Sequence, residues 1–140
     1  MMAFLLNMFI VALVVLVHYE FLYRVTRLLP GLHIPHRFRV LSSVFAALVA
    51  HIIEIIIFAV AYYTLHHMDG WGGLKGSYDG SLMDSIYYSF TTFTTLGLGD
   101  IEPYGTLRYL TGLESLTGLV LITWSASFLY YEMQRYWDGR

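Results

Sequence analysis

The chain has 140 residues, of which 57% are hydrophobic and 13% charged, and its mean hydropathy is +0.59. A soluble domain carries about twice that charged fraction, so the composition excludes an ordinary soluble protein and predicts an integral membrane protein. The formal net charge of −2 is too small to indicate a nucleic-acid partner. Because there is no cysteine, disulfide frameworks and thiolate metal sites are also excluded.

The first apolar run, residues 1–23, is interrupted only by Asn7, His18 and Glu20. At about 1.5 Å per residue it can cross a hydrocarbon core of about 30 Å. A cleaved signal peptide is the alternative interpretation, but no basic residue precedes the run and no small-residue cleavage site follows it. We therefore expect a retained N-terminal transmembrane helix.

Residues 24–39 form a basic connecting segment that contains no acid. Pro30-Gly31 and Pro35 predict that it is a loop. The positive-inside rule places such a segment in the cytoplasm, although anchoring to membrane lipid headgroups is also compatible with its charge. We therefore expect a multi-pass protein of the plasma (cytoplasmic) membrane with its N-terminus outside and its C-terminus in the cytoplasm. The basic side chains are Arg24, Arg27, Arg37 and Arg39, with His33 and His36.

Residues 40–65 form a second apolar run that predicts another transmembrane helix. Tyr62 and Tyr63 lie near its outer end, where aromatic belts are usual. The polar, glycine-rich residues 66–80 predict an exposed turret.

Residues 81–94 are too few to cross a bilayer and predict a short re-entrant helix, which membranes tolerate only where it is buried in protein or lines water. Ser81 and Asp84 have the spacing of a capping box at its start. Residues 107–136 predict a third transmembrane helix.

The segment between the short helix and the third long helix, residues 95–100, reads Thr-Leu-Gly-Leu-Gly-Asp. Glycine reaches positive φ without steric cost, so alternating glycines can turn successive carbonyl groups to one side. A row of carbonyl oxygens can replace the hydration shell of a cation. The segment therefore predicts part of an ion pathway.

The order of helix, re-entrant helix, glycine segment and helix resembles the pore unit of the potassium-channel superfamily, whose filter reads Thr-Val-Gly-Tyr-Gly-Asp. The resemblance covers about residues 40–136. It implies an all-α membrane protein with three transmembrane helices, a re-entrant pore helix and a selectivity filter. Four copies would form a homotetrameric pore, because one chain supplies one strand of the filter. The first helix would be an addition at the periphery of this pore.

The resemblance also implies roles for single residues. Carbonyl groups of Thr95, Leu96, Gly97 and Leu98 would bind potassium, and Asp100 would close the filter after Gly99. The filter would be supported from behind by Tyr87, Tyr88, Thr91, Thr92 and Glu114. Gly118 would be the hinge of the inner helix, and the cavity would be lined by Leu119, Ile122 and Ala126. No cofactor is implied besides permeant potassium or sodium.

Two filter side chains depart from the family pattern. Leu98 stands where a tyrosine hydroxyl donates a hydrogen bond behind the filter, and Leu96 replaces a stiffer valine. Three functions are compatible with these changes: a potassium channel, a channel that is non-selective among monovalent cations, and a channel-like subunit that does not conduct.

His51 and Glu54 share one face of the second helix, and Glu114 lies in the third. Ionisable residues inside a membrane predict a function. Glu54 or Glu114 could bond to pore-helix hydroxyls at Thr91 or Thr92, and Glu114 or His51 could make gating depend on pH. Alternatively, His51 and Glu54 form a packing pair, bind a metal with a third ligand that the sequence does not reveal, or serve an intramembrane enzyme. The enzyme hypothesis lacks a HExxH-type pair or a nucleophile motif, so we predict that the chain is not an enzyme.

Overall fold

The computed structural model describes residues 1–31 and 33–137, and most of them lie in four helices. The elements in chain order are α1 (Met2–Leu28), a short 3-10 turn (Leu29–Gly31), α2 (His36–His66), β1 (Gly72–Gly76), α3 (Leu82–Phe93), β2 (Ile101–Gly105) and α4 (Leu107–Trp137). Three of the helices, α1, α2 and α4, are long and apolar enough to cross a membrane. The predicted helical membrane architecture with three spanning helices is therefore confirmed.

The long helices extend beyond the predicted apolar runs. Helix α1 continues to Leu28 and α2 begins at His36, so most of the predicted 24–39 loop is helical. This boundary prediction was wrong because it followed hydropathy, whereas arginine is a good helix former and can continue a helix into the headgroup region. Arg24 also forms an ion pair with Glu20, one turn earlier, at 2.8 Å. Pro35, as predicted, stands at a boundary, at the N-cap of α2.

A small antiparallel sheet joins the turret to the segment after the filter. Strand β1 pairs with β2 so that Gly72 lies opposite Gly105 and Gly76 opposite Ile101. The all-α membrane fold did not include this short pair of strands, because glycine is depleted in strands and the composition indicated a loop. Gly72 and Gly105 have positive φ, and a Cβ on either would press on the other strand. The glycines thus permit the close approach of the two strands.

Helix α2 lies at the centre of the fold and packs against α1, α3 and α4. The core between these helices contains fully buried large side chains, among them Phe58, Tyr62, Phe93, Leu110 and Leu121. The outward faces carry exposed apolar side chains such as Phe4, Phe9, Leu16 and Phe45. Such a surface is costly in water and suits a lipid environment.

Helix α3 starts at the predicted N-cap. The Ser81 hydroxyl accepts a hydrogen bond from the Asp84 N–H at 3.1 Å. In a full capping box the Asp84 carboxylate would accept from the Ser81 N–H. Here the Asp84 carboxylate accepts from the Asp79 N–H instead, and the Ser81 N–H donates to the Asp79 carboxylate. Both acids lie near the positive end of the helix dipole, where a negative charge stabilises the helix.

Candidate functional site

The filter segment, residues 95–100, begins where α3 ends. The N–H groups of Thr95 and Gly97 turn back and donate to the carbonyls of Thr92 and Thr91 at 3.0 and 2.9 Å. These bonds satisfy carbonyl groups that a helix end leaves without partners. They also fix the direction in which the chain leaves the helix.

Backbone conformation alternates along this segment. Thr95, Gly97 and Gly99 have φ values of 59°, 52° and 81°, whereas Leu96 and Leu98 are not among the residues with positive φ. Thr95 is the one non-glycine residue with positive φ within residues 1–31 and 33–137. A β-branched residue rarely adopts this conformation, and such strain concentrates at functional sites.

The filter segment is exposed along its whole length in the single chain, including the side chains of Leu96 (63%) and Leu98 (59%). Behind it, a groove of about 320 Å³ lies between α3, the segment and α4. Leu119, Ile122 and Ala126 of α4 are exposed as well. These surfaces are available to other copies of the chain or to solvent.

The far end of the filter segment is tied to α3 and to the sheet. The Tyr87 hydroxyl donates to Asp100 Oδ2 at 2.9 Å, and the Asp100 carbonyl accepts from the Ser77 N–H at the same distance. The hydrogen bond to Asp100 raises the pKa of the Tyr87 hydroxyl, which keeps its proton in this bond. Tyr87 therefore connects Asp100 to α3, and its role as a support of the filter stays a prediction.

We expect Tyr87→Phe to loosen the end of the filter segment with little effect on folding. Phenylalanine cannot donate the hydrogen bond to Asp100 that the tyrosine hydroxyl makes. Currents recorded in reconstituted bilayers should therefore show a lower ratio of potassium to sodium permeability than those of the wild type. Tyr109→Phe, which removes a hydroxyl from a side chain that is 75% exposed, is the matched control. Equal ratios in the two variants would contradict the prediction.

Tyr88, next to Tyr87, bonds to α4 and also lines the groove behind the filter segment. Its hydroxyl lies 2.9 Å from Thr111 Oγ1, and its ring packs edge-on against Tyr62 with centroids 4.9 Å apart. Thr91 and Thr92 are buried at the end of α3. The Thr91 hydroxyl donates to the Tyr88 carbonyl, and the Thr92 carbonyl accepts from the Ser115 hydroxyl of α4. Tyr88 and Thr92 therefore join α3 to α4, whereas the Thr91 hydroxyl bonds within α3.

Glu114 is fully buried and bonds to two hydroxyl groups. The Tyr62 hydroxyl donates to its Oε2 at 2.6 Å, and the Ser89 hydroxyl lies against its Oε1. The expected partners, Thr91 and Thr92, were wrong, whereas the expected bond to a pore-helix hydroxyl is present at Ser89. Tyr62 lies in the core and not in an aromatic belt, because its hydroxyl has this buried partner.

Counting the hydrogens available for the hydrogen bonds around Glu114 indicates which protonation state of its carboxyl group satisfies them all. The Ser89 hydroxyl is within hydrogen-bond distance of both Glu114 and the Ile55 carbonyl, but it has only one hydrogen to donate. A neutral Glu114 carboxyl supplies the missing hydrogen, so that every contact has a donor. Glutamine at this position can do the same, since its amide nitrogen donates to Ser89 and its oxygen accepts from Tyr62.

We therefore expect Glu114→Gln to fold with near wild-type stability. Glu114→Ala leaves the hydroxyls of Tyr62 and Ser89 without their buried partner and should lose about 1–3 kcal/mol. The measurement is thermal unfolding in detergent. Glu102→Ala, which removes an exposed acid paired with Lys75, is the control and should be nearly neutral. Equal losses in the glutamine and alanine variants at position 114 would contradict this count of hydrogens.

The same count of hydrogens gives the sign of a pH effect. Loss of the Glu114 proton at high pH leaves Ser89 with two acceptors and one hydrogen, so the support of the filter weakens as pH rises. Open probability of the wild type should fall as pH rises, whereas that of Glu114→Gln should remain constant. Identical flat curves would contradict this expectation.

Gly118 lies in the contact between α4 and the end of α3. A Cβ at this position would overlap the carbonyl oxygen of Phe93 and would lie 3.0 Å from the Cα of Phe93. Helix α4 is continuous through Gly118 from Leu107 to Trp137. The glycine therefore permits close approach of the two helices, and its role as a hinge stays a prediction.

Glu54 bonds to two histidines and not to the pore helix. His51 Nδ1 lies 2.9 Å from Glu54 Oε2, and His18 Nδ1, contributed by α1, lies 2.8 Å from Glu54 Oε1. The expectation that Glu54 bonds to Thr91 or Thr92 was wrong. Sequence reasoning also missed His18, because helical spacing links His51 to Glu54 but gives no information on a partner 36 residues away. The signal available was a histidine within an apolar run.

A family model described as an ion channel matches residues 50–135, more than half of the chain. No curated protein and no solved structure matches the chain. The matched region contains most of α2, the sheet, α3, the filter segment and most of α4, and leaves α1 outside. The chain therefore belongs to this ion-channel family, as a membrane-embedded two-helix unit of the potassium-channel type with an additional N-terminal helix.

Proposed function

We propose that four copies of the chain form a cation channel that conducts potassium through the backbone carbonyl groups of residues 95–98. The alternation of positive φ at Thr95, Gly97 and Gly99 carries this proposal. Left-handed and ordinary conformations that alternate residue by residue can direct successive carbonyls to the same side, where they replace the hydration shell of a cation.

The electrostatics of α3 favour a cation at the start of the filter. The helix ends at Phe93, and the partial negative charge of its C-terminal carbonyls lies beside Gly118 of α4. Leu119, Ile122 and Ala126 are exposed on the chain and would line the cavity there. This arrangement stabilises a cation before it enters the filter.

A tetramer follows from the requirement that an ion be enclosed. One chain supplies one strand of carbonyls, and closed four-fold symmetry gives four per ring. The exposed filter segment and the groove behind it provide surfaces that neighbouring copies can cover. Helix α1 lies outside the family region and would face membrane lipids at the periphery.

Orientation follows from the arginines near the junction of α1 and α2. Arg24, Arg27, Arg37 and Arg39 support a cytoplasmic position of that junction, in a chain embedded in the plasma membrane. The N-terminus and the filter then lie on the outer side and the C-terminus in the cytoplasm.

Selectivity for potassium rests on how firmly the filter is held. Leu98 cannot donate the hydrogen bond that tyrosine donates in the family pattern. The bond from Tyr87 to Asp100 and the bond from the Ser77 N–H to the Asp100 carbonyl hold the other end of the segment. We infer that these contacts preserve a potassium preference.

The decisive measurement is the reversal potential of the purified wild-type protein in a planar bilayer, with potassium on one side and sodium on the other. A potential that reports preference for potassium is the expected result. Equal permeability of the two ions would establish the non-selective channel. Absence of any current from a protein that cross-links as a tetramer would establish the non-conducting subunit.

A further inference from the structure

We propose that His18, His51 and Glu54 form a binding site for a divalent transition-metal ion of the zinc class between α1 and α2. Each residue offers one ligand atom, and these atoms all lie within 4.8 Å of one another. Two imidazoles and one carboxylate are a ligand set that zinc prefers, with a fourth position left for water. The sequence alone does not bring these three residues together, because His18 is on α1 and the other two are on α2.

The site is enclosed by protein. The side chains of His18 and Glu54 are fully buried, and that of His51 is 14% exposed. A buried carboxylate is costly inside a membrane unless a positive charge or hydrogen bonds compensate it. A divalent cation supplies that compensation directly.

Hydrogen bonds alone leave the cluster incomplete. Each histidine uses Nδ1 toward Glu54, and the buried Nε2 of His18 has no hydrogen-bond partner within the described part of the chain. Buried polar atoms are paired in the great majority of cases. Hydrogen bonding within the cluster therefore leaves one buried ring nitrogen of His18 unsatisfied.

Aromatic rings fix the orientation of the two histidines. The His18 and His51 rings stack with centroids 5.4 Å apart and planes 25° apart. Trp124 of α4 lies 5.1 Å from the His18 ring, and Phe93 of α3 lies 5.7 Å from the His51 ring. This packing therefore holds both rings beside Glu54 in one arrangement.

The movement needed to bind an ion is small. Ligands of tetrahedral zinc with bonds of about 2.0–2.1 Å are about 3.4 Å apart. The present nitrogen-to-oxygen distances are 2.8 and 2.9 Å, so they widen by roughly half an ångström when an ion enters between them. A small displacement of the Glu54 carboxylate, with the two rings kept in their packed orientation, provides this change.

The ion would connect the additional helix to the ion-channel unit. His18 lies outside the region that matches the family, whereas His51 and Glu54 lie inside it. Phe93, which contacts His51, is the last residue of α3. Metal binding would therefore fasten α1 beside the end of the pore helix, and it can be measured whether or not the protein conducts.

The test uses the full chain purified in detergent, stripped with a chelator and titrated with zinc chloride. Wild type should retain one zinc per chain after desalting, measured by elemental analysis, and should unfold at a higher temperature with zinc. His18→Gln and Glu54→Gln should lose at least about a hundredfold in zinc affinity. His67→Gln, which removes an exposed histidine at the end of α2, is the matched control and should bind zinc as wild type does.

Two results would overturn the proposal. Wild type that binds no zinc at micromolar concentrations would leave the cluster as a hydrogen-bonded packing contact. Zinc retained equally by Glu54→Gln and wild type would place the ion elsewhere, for example at His66 and His67. Should either variant fail to fold, cobalt-loaded wild type decides the question, since a tetrahedral site gives intense visible absorption bands and their absence counts against the site.

Discussion

Gly99→Ala is expected to abolish potassium flux while the helices remain folded. Gly99 has a φ of 81°, and a Cβ there would meet no other atom of the chain within 4 Å. The cost is therefore conformational: a left-handed residue with a Cβ is less stable by about 1–2 kcal/mol, and by about four times that in a tetramer. The backbone would relieve this cost by rotating the peptide between Leu98 and Gly99, which turns the Leu98 carbonyl away from the proposed ion path.

Flux into potassium-loaded proteoliposomes measures this effect, and elution volume and far-ultraviolet circular dichroism verify the fold. Gly112→Ala is the matched control, because Gly112 lies within α4 with no atom near its would-be Cβ. It should conduct as wild type does. Comparable flux through the Gly99→Ala and Gly112→Ala proteins would remove the backbone alternation as the basis of conduction.

Local rules explain what the sequence predicts well. Glycine and positive φ are linked within one residue, so positive φ at Gly97 and Gly99 could be predicted without knowing the rest of the fold, whereas that at Thr95 could not. The N-cap at Ser81 depends on the Asp84 N–H three residues later and was equally accessible. The long helices could be predicted from the length of the apolar runs. The ends of these helices could not, because hydropathy indicates which residues lie in the hydrocarbon core and not how far a helix continues beyond it.

Contacts between distant residues could not be predicted in the same way. Helical periodicity states which face a residue occupies, but not which helix covers that face. The pairs His18–Glu54 and Tyr62–Glu114 are separated by 36 and 52 residues. Each of the four is a polar group in an apolar run, so a search for such groups would have collected the members without pairing them. The sheet was missed for a related reason, since its strands are defined by pairing across α3.

Gly118→Ala is expected to lower the free energy of unfolding by about 1–3 kcal/mol. The new methyl group would press on backbone atoms of Phe93, and no rotamer change can relieve that contact. Either α4 or the end of α3 must move, which also displaces the start of the filter segment. Helix propensity alone gives the opposite sign, because alanine exceeds glycine by about 1 kcal/mol within a helix.

Gly112→Ala supplies the contrast, since the same substitution six residues earlier in the same helix meets open space and should raise stability by roughly 0.5–1 kcal/mol. Thermal unfolding of the two variants in detergent therefore gives opposite signs if close approach is the reason for glycine at 118. If glycine is needed at 118 as a hinge, Gly118→Ala should instead reduce conduction while raising stability as an alanine within a helix ordinarily does. Equal stability gains at both positions would thus reject the contact with Phe93 as the reason and favour the hinge.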